Sequence, residues 1–218
     1  MMDALVVRGG WEGHVPVPAT ELFLPDLAAA GFTVDIADDL DVYLDTERLA
    51  RTDLIVQCWS EGTLTTEQER GLTAAVHAGT GFAGWHGGVV ATFTGNTEYL
   101  RMVGGRFLHH PEHFHTYTVR VDRPEHPIMH GIADFDVHSE QYWLLGDDRN
   151  DVLAHTVITP ETGGQGSGDV RMPVVWTRLW GAGKVFVSAI GHRVADLEVP
   201  PVRELTRRGM AWAARTTP

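Results

Sequence analysis

The sequence predicts a single α/β domain over residues 1–218, with a mostly parallel central sheet flanked by helices and one added antiparallel strand pair. Three observations carry this. The short apolar runs Ala4 to Val7, Asp53 to Cys58 and Gly81 to Trp85 have the composition of strands buried on both faces. Between them lie stretches with helical apolar spacing, bounded by capping and glycine signals. Strands that alternate with helices at such short intervals require right-handed crossovers and hence a parallel sheet.

Taken in order, Ala4 to Val7 leads into Arg8-Gly9-Gly10, a strand followed by a loop. Leu22, Leu24, Leu27 and Ala28 give a helical stripe that stops at Gly31, and Phe32 to Ala37 resumes as a strand. After the strand ending at Cys58, the loop Trp59-Ser60-Glu61-Gly62 precedes a helix. Thr65 and Gln68 have capping-box spacing there, Leu72, Ala75 and Val76 supply its apolar face, and Gly79 stands at its C-cap. Thr116 to Val121 and Phe135 to His138 alternate with β-branched residues and form the antiparallel pair, placed to cover a pocket. Thr162 to Asp169 is a Gly-rich surface loop without phosphate-loop spacing. Val174 to Thr177 and Lys184 to Ala189 are strands meeting at Gly181-Ala182-Gly183. Pro201 opens a final helix with Val202, Leu205 and Trp212 on one face.

The 17 basic and 29 acidic residues give a net charge of −12, which repels phosphate backbones and argues against nucleic acid as a partner. No segment approaches the roughly 20 continuous apolar residues of a membrane span, and the N-terminus reads as a first strand rather than a signal peptide. The lone cysteine, Cys58, fits a reducing compartment, so the expected location is the cytoplasm. The oligomeric state is open, a homo-oligomer included. Twelve histidines are a surplus over packing needs, and imidazole both binds metals and titrates near neutral pH.

Ligands of parallel α/β sheets bind at the carboxyl ends of the strands. That rule selects Trp11 to His14, Trp59 to Glu61 and Trp85 to Gly88. The sharpest feature is Gly84-Trp85-His86-Gly87-Gly88, a nucleophile-elbow spacing with histidine at its centre. Such a histidine serves as general acid, general base or metal ligand but is a poor acylation nucleophile; the plainer alternative is a turn in which His86 merely packs. His192, after Gly191, lies at the same edge, and Glu140 adds a carboxylate that raises the basicity of an imidazole or joins two of them around a divalent metal such as zinc. His86, His192 and Glu140 are therefore the candidate catalytic or metal-binding set. His113 and His115 share a face if their segment is extended, and with His110 or Glu112 nearby they form a second metal candidate, His110, His113 and His115. Trp11, His14, Trp59, Glu61, Trp85, His110 and Tyr142 are the candidate substrate contacts, aromatic faces beside polar groups being suited to sugar rings.

The chain resembles the ThuA-like family. The matching pieces are Gly13-His14, Gly84-Trp85-His86-Gly87, Gly104-Gly105-Arg106-Phe107 with His110-Pro111, His126-Pro127-Ile128 with Gly131, Glu140-Gln141-Tyr142, Gly183-Lys184-Val185-Phe186 leading to Gly191-His192, and Met210-Ala211-Trp212-Ala213. The resemblance implies a flavodoxin-like fold of the class I glutamine amidotransferase type, with histidine standing where an amidotransferase carries cysteine. It further implies a role in trehalose or related sugar use without glutaminase activity. Two departures stand out: Ser139 occupies a position where an acidic residue often precedes the glutamate, and His113 to His115 is unusually rich in histidine. The expected function is an enzyme acting on a sugar or keto-sugar through acid/base or metal chemistry. A non-catalytic sugar-binding module and a zinc-dependent hydrolase are the alternatives.

Overall fold

The computed structural model describes residues 2–111, 113–162 and 168–215. The first half runs β1 (Met2–Gly10), α1 (Pro16–Glu21), α2 (Leu24–Ala29), β2 (Phe32–Ala37), α3 (Thr46–Arg51), β3 (Leu54–Ser60), α4 (Thr66–His77), β4 (Gly81–Trp85), α5 (Gly87–Val90) and α6 (Thr97–Val103). The second half runs β5 (Gly105–His109), β6 (His115–Val121), β7 (Phe135–Ser139), β8 (Trp143–Gly146), β9 (Asp151–Ile158), β10 (Val170–Trp180), β11 (Gly183–Ser188), α7 (Val194–Leu197) and α8 (Pro200–Ala213).

Nine strands form one sheet in the order β2, β1, β3, β4, β11, β10, β9, β6, β7. From β2 to β11 every pairing is parallel; from β11 to β7 every pairing is antiparallel. The sheet is thus mixed. The expected antiparallel pair is β6 and β7, continuous with the main sheet through β9, while β5 and β8 make a second, two-stranded sheet. The parallel strands β3 and β4 are almost wholly buried, as their continuous apolar runs require. Helices α1, α7 and α8 form one covering layer, and α3, α4 and α6 another.

Local signals account for most boundaries. The capping box of α4 is formed: the Thr65 hydroxyl accepts the Gln68 N–H at 3.2 Å, and the Gln68 side chain accepts the Thr65 N–H at 2.9 Å. The stripe from Leu22 to Ala28 is split rather than one helix. Pro25, lacking an N–H, sits at the start of α2, and α1 is a separate turn opened by Pro16. The Gly-rich stretch at 163–167 lies outside the described residues. One buried polar chain crosses the core under α5: Tyr43 donates to Gln57 at 2.9 Å, and Gln57 donates to the Gly88 carbonyl at 3.1 Å and to the Tyr99 hydroxyl at 2.7 Å. Tyr99 in turn donates to the Val89 carbonyl at 2.9 Å, so every member is satisfied and the residues just after His86 are pinned.

Helix α4 packs against the 3-10 turn Leu40–Leu44 through Gly71, where a Cβ would collide with the Tyr43 carbonyl oxygen. Gly71→Ala improves helix propensity by about 1 kcal/mol, but overpacking against a fixed backbone costs about 1–3 kcal/mol. We expect a melting temperature several degrees lower in a thermal unfolding scan; an unchanged or raised value would show that the two elements part without cost.

Candidate metal centre at the carboxyl edge of the parallel strands

Four loops leaving carboxyl strand ends build the site. β4 ends at Trp85, and His86 follows with φ 48° and ψ −142°, a backbone conformation uncommon for a residue with a side chain. Its N–H donates to the Ser188 carbonyl at 2.6 Å, which fixes the turn against β11. The flanking glycines are required by close neighbours: a Cβ on Gly87 would overlap the His14 ring, and one on Gly88 would meet the Cα of Cys58. His14 comes from the turn after β1 and precedes Val15, a β-branched residue held at φ 44°. His192 follows β11 through Gly191, which has φ 130°. Glu140 arrives from the antiparallel half, immediately after β7.

Ligand atoms of His14, His86, Glu140 and His192 all lie within 4.8 Å of one another. The interval has the dimensions of an ion rather than of a sugar ring. His86 Nε2 is 3.2 Å and His192 Nδ1 3.1 Å from Glu140 Oε2, while His110 Nε2 is 3.5 Å from Oε1. The far sides of the His86 and His14 rings are also held. His86 Nδ1 donates to the Ala189 carbonyl at 3.0 Å, and His14 Nδ1 is 2.6 Å from the Ser60 hydroxyl. Tyr142 stacks on His86 with ring centroids 4.1 Å apart and places its hydroxyl 3.4 Å from His14 Nε2. His192 Nδ1, although close to Glu140, lies off the hydrogen-bonding direction and is a buried nitrogen without a hydrogen-bond partner among the described residues.

Burial pushes the His14 imidazole down to about 3, helped by the neighbouring His86 and His192. Burial likewise lowers His86, against the opposing pull of Glu140 and of the Ala189 carbonyl. For Glu140, burial by itself raises the carboxyl, but the His192 and His86 imidazoles outweigh it and hold the group below the usual carboxylate range. These directions give neutral His14 and His86 imidazoles beside an ionised Glu140 carboxylate. The Ala189 carbonyl can only accept, so the single proton of a neutral His86 resides on Nδ1, and its Nε2 lone pair faces the carboxylate. Two acceptors at that distance repel each other unless a cation lies between them. A metal ligand whose other ring nitrogen donates to a backbone carbonyl has this same arrangement.

Residues 3–213 match the family ThuA, described as trehalose utilisation. The chain belongs to the ThuA family. Among solved structures, a ThuA-like protein from Bacteroides uniformis superposes with a TM-score of 0.77 at 19% identity, covering 97% of this chain and 91% of the other. A cytoplasmic protein of Salmonella typhimurium LT2 gives 0.71 at 15% identity, covering 99% and 100%. A β-galactosidase from Rahnella sp. R3 gives 0.61 at 13% identity over 99% of this chain but 32% of its own length, so the ThuA fold is similar to a part of that larger enzyme. These identities speak to fold alone. A comparison with curated proteins finds no match. Among the described residues no helix is long and apolar enough to cross a membrane.

In this ThuA-family chain the structure brings together His86, His192 and Glu140 as a group and adds His14, which the sequence offered as a substrate contact. Trp11 stands at the opening, 47% exposed, with its ring 4.8 Å from His14 and 6.3 Å from His192. His110 and Tyr142 also reach the site. Trp85 is different: its ring is buried in the core against Phe23, on the other side of the turn. Trp59 packs beneath Gly9, and Glu61 points outward from a left-handed turn bridged to Thr92. The second metal candidate does not assemble among the described residues. His110 turns to Glu140, His115 bonds Gln141 at 2.8 Å, and His113 is exposed; Glu112 lies outside the described residues. Ala189 and Phe114 carry no mark in the sequence that singles them out, whereas Ser60 lies within the selected loop Trp59 to Glu61. A serine closing a buried strand was the one available signal, whereas a carbonyl contact leaves none.

Proposed function

We propose that the protein is an enzyme of carbohydrate catabolism acting on a sugar or keto-sugar, with His14, His86, Glu140 and His192 holding a divalent metal ion such as zinc. The observation that carries this reading is the approach of His86 Nε2 and the unpartnered His192 Nδ1 to one carboxylate oxygen, each with its lone pair or its burial otherwise uncompensated. Three imidazoles and one carboxylate are a ligand set that zinc and similar ions accept. When bound, such an ion supplies a Lewis acid for a sugar carbonyl or hydroxyl and lowers the pKa of a bound water. The chain's own residues do the rest. Tyr142 fixes the His86 ring, Ser60 fixes His14, and His110 offers a less buried imidazole at the Oε1 side of Glu140 for proton transfer. Trp11 provides an aromatic face at the opening for a pyranose ring.

Glutaminase chemistry has no support here. The elbow carries an imidazole in place of a thiol, and the sole cysteine, Cys58, is buried with its thiol pushed up to about 12. The membership in a trehalose utilisation family supports a sugar substrate and leaves the reaction type to experiment.

The test is metal analysis of untagged protein with and without His86→Ala. We expect close to one divalent ion per chain in the wild type and near-complete loss in the variant. A wild type that takes up no metal even when divalent ions are supplied would overturn the metal centre and turn the His86–Glu140 pair into a candidate acid/base.

A further inference from the structure

The residues that surround the cluster are themselves tied together by a device that none of the preceding roles uses. Asp196, on α7, is buried at 3% exposure and accepts four hydrogen bonds. The Ser139 hydroxyl donates at 2.6 Å, the Arg193 backbone N–H at 3.2 Å, and the Arg193 guanidinium through Nε at 3.2 Å and Nη2 at 2.9 Å. Nη2 of Arg193 also donates to the His138 carbonyl at 2.7 Å. The same guanidinium lies 4.2 Å over the Phe114 ring, and Phe114 meets the His192 ring edge-on at 5.1 Å. Each link touches a neighbour of a cluster residue: Ser139 and His138 immediately precede Glu140, and Arg193 immediately follows His192.

We infer that Ser139, Asp196 and Arg193 are positioning residues that lock the end of β7 to the loop after β11, and so set the approach of Glu140 to His192. The physical case is that Glu140 comes from the ninth strand of the sheet order and His192 from the fifth, so no backbone ladder fixes one against the other. A buried carboxylate with charge-assisted bonds to both segments supplies the missing register. Ser139 fits this arrangement because its hydroxyl donates; an acidic side chain at 139 would place a second carboxylate against Asp196, and like charges at that distance do not both ionise. Serine at 139 and aspartate at 196 therefore belong together in this chain. Phe114, held under Arg193, extends the lock to the outer face of the His192 ring.

The inference rests on the proposed metal centre for its consequence, although the lock itself is a claim about the metal-free protein. The experiment uses the full chain, metal-free, as wild type, Ser139→Ala, Ser139→Thr and Asp196→Asn. Two quantities are read: the imidazole 15N resonances, with His155 paired to Asp122 at 2.8 Å as a distant reference, and the affinity and visible spectrum on titration with Co2+. We expect the His192 and His86 signals to move in Ser139→Ala and Asp196→Asn while His155 stays. The Co2+ affinity should fall by about 10–100-fold, the size typical of losing a residue that orients metal ligands. Ser139→Thr, which keeps the hydroxyl, should restore both. A merely structural role would lower the melting temperature without moving the imidazole signals or the cobalt spectrum. Unmoved His192 and His86 signals in folded Ser139→Ala overturn the lock whatever metals bind; Ser139→Ala removes one hydroxyl and keeps the test open should Asp196→Asn fail to fold. If the signals move as expected but the wild type takes up no Co2+, the metal centre fails and the lock stands.

Discussion

Glu140→Gln lowers divalent-metal affinity by about 100-fold or more while the protein stays folded, by the geometry of its two oxygens. Glu140 is the only carboxylate in the four-residue group, and its Oε2 lies 3.2 Å from His86 Nε2 and 3.1 Å from His192 Nδ1. Removing its charge deletes a ligand outright, which costs more than the roughly 10–100-fold typical of residues that merely orient ligands. The metal-free variant responds in the opposite sense. A glutamine amide can donate to the lone pair of His86 Nε2 or the buried His192 Nδ1, both of which face a repelling or missing partner in the metal-free wild type. Its melting temperature without metal is therefore expected at or above that of the wild type. Competitive chelator titration and thermal scans of both proteins measure the two effects. Equal affinities within a few-fold would remove Glu140 from the centre, and a strongly destabilised metal-free variant would show that the carboxylate stabilises the fold by itself.

The metal-free protein loses stability on acidification, beginning near pH 6.5 and well above the range where surface carboxylates protonate. The His14 imidazole sits at about 3 in the fold against 6.5 for an unperturbed histidine. A depressed histidine is neutral when folded and binds a proton when unfolded, so the unfolded chain carries more protons between those two values. Stability is full above about pH 6.5 and falls as the pH drops towards 3. His86 is displaced in the same direction. Glu140, held low, adds a loss only below the unfolded carboxylate value, where the unfolded chain takes up a proton that the native carboxylate does not. Each pH step of one between the folded and unfolded values corresponds to roughly 1.4 kcal/mol, so His14 contributes a few kcal/mol across the window. The shared charges of the cluster make the individual contributions non-additive. Urea unfolding of chelated protein at about pH 7.5 and about pH 5, on either side of the ordinary histidine value, is the check. The midpoint is expected to fall at the lower pH, and His14→Asn should flatten the difference. A midpoint unchanged between the two conditions would mean that the imidazoles are not held neutral by burial.

The parallel half of the sheet was legible because its signals are local. Continuous apolar runs mark strands buried on both faces, and the capping box at Thr65 and Gln68 marks where α4 begins. His86 was legible for the same reason, since a glycine-flanked position between a strand and a helix is written in consecutive residues. Strands β5, β8 and β9 were not legible. Their alternation is interrupted by glycine, histidine and tryptophan, and a bulge breaks the β5 and β8 register, so burial there follows from packing rather than from period.

The sequence by itself determined the strand-to-helix alternation, the edge at which the candidate site lies, and His86, His192 and Glu140 as a group to be tested. Tertiary structure alone decided that His14 joins them, that Trp85 faces the core, and that His110, His113 and His115 part company. The reason is physical. Local structure follows from propensity and period over a few residues, whereas the distance between His14 and Glu140 depends on how a mixed sheet brings loops from separate strands to one edge. The direction of each side chain there is set by neighbours such as the Ala189 carbonyl and the Ser60 hydroxyl, which are remote from it in sequence.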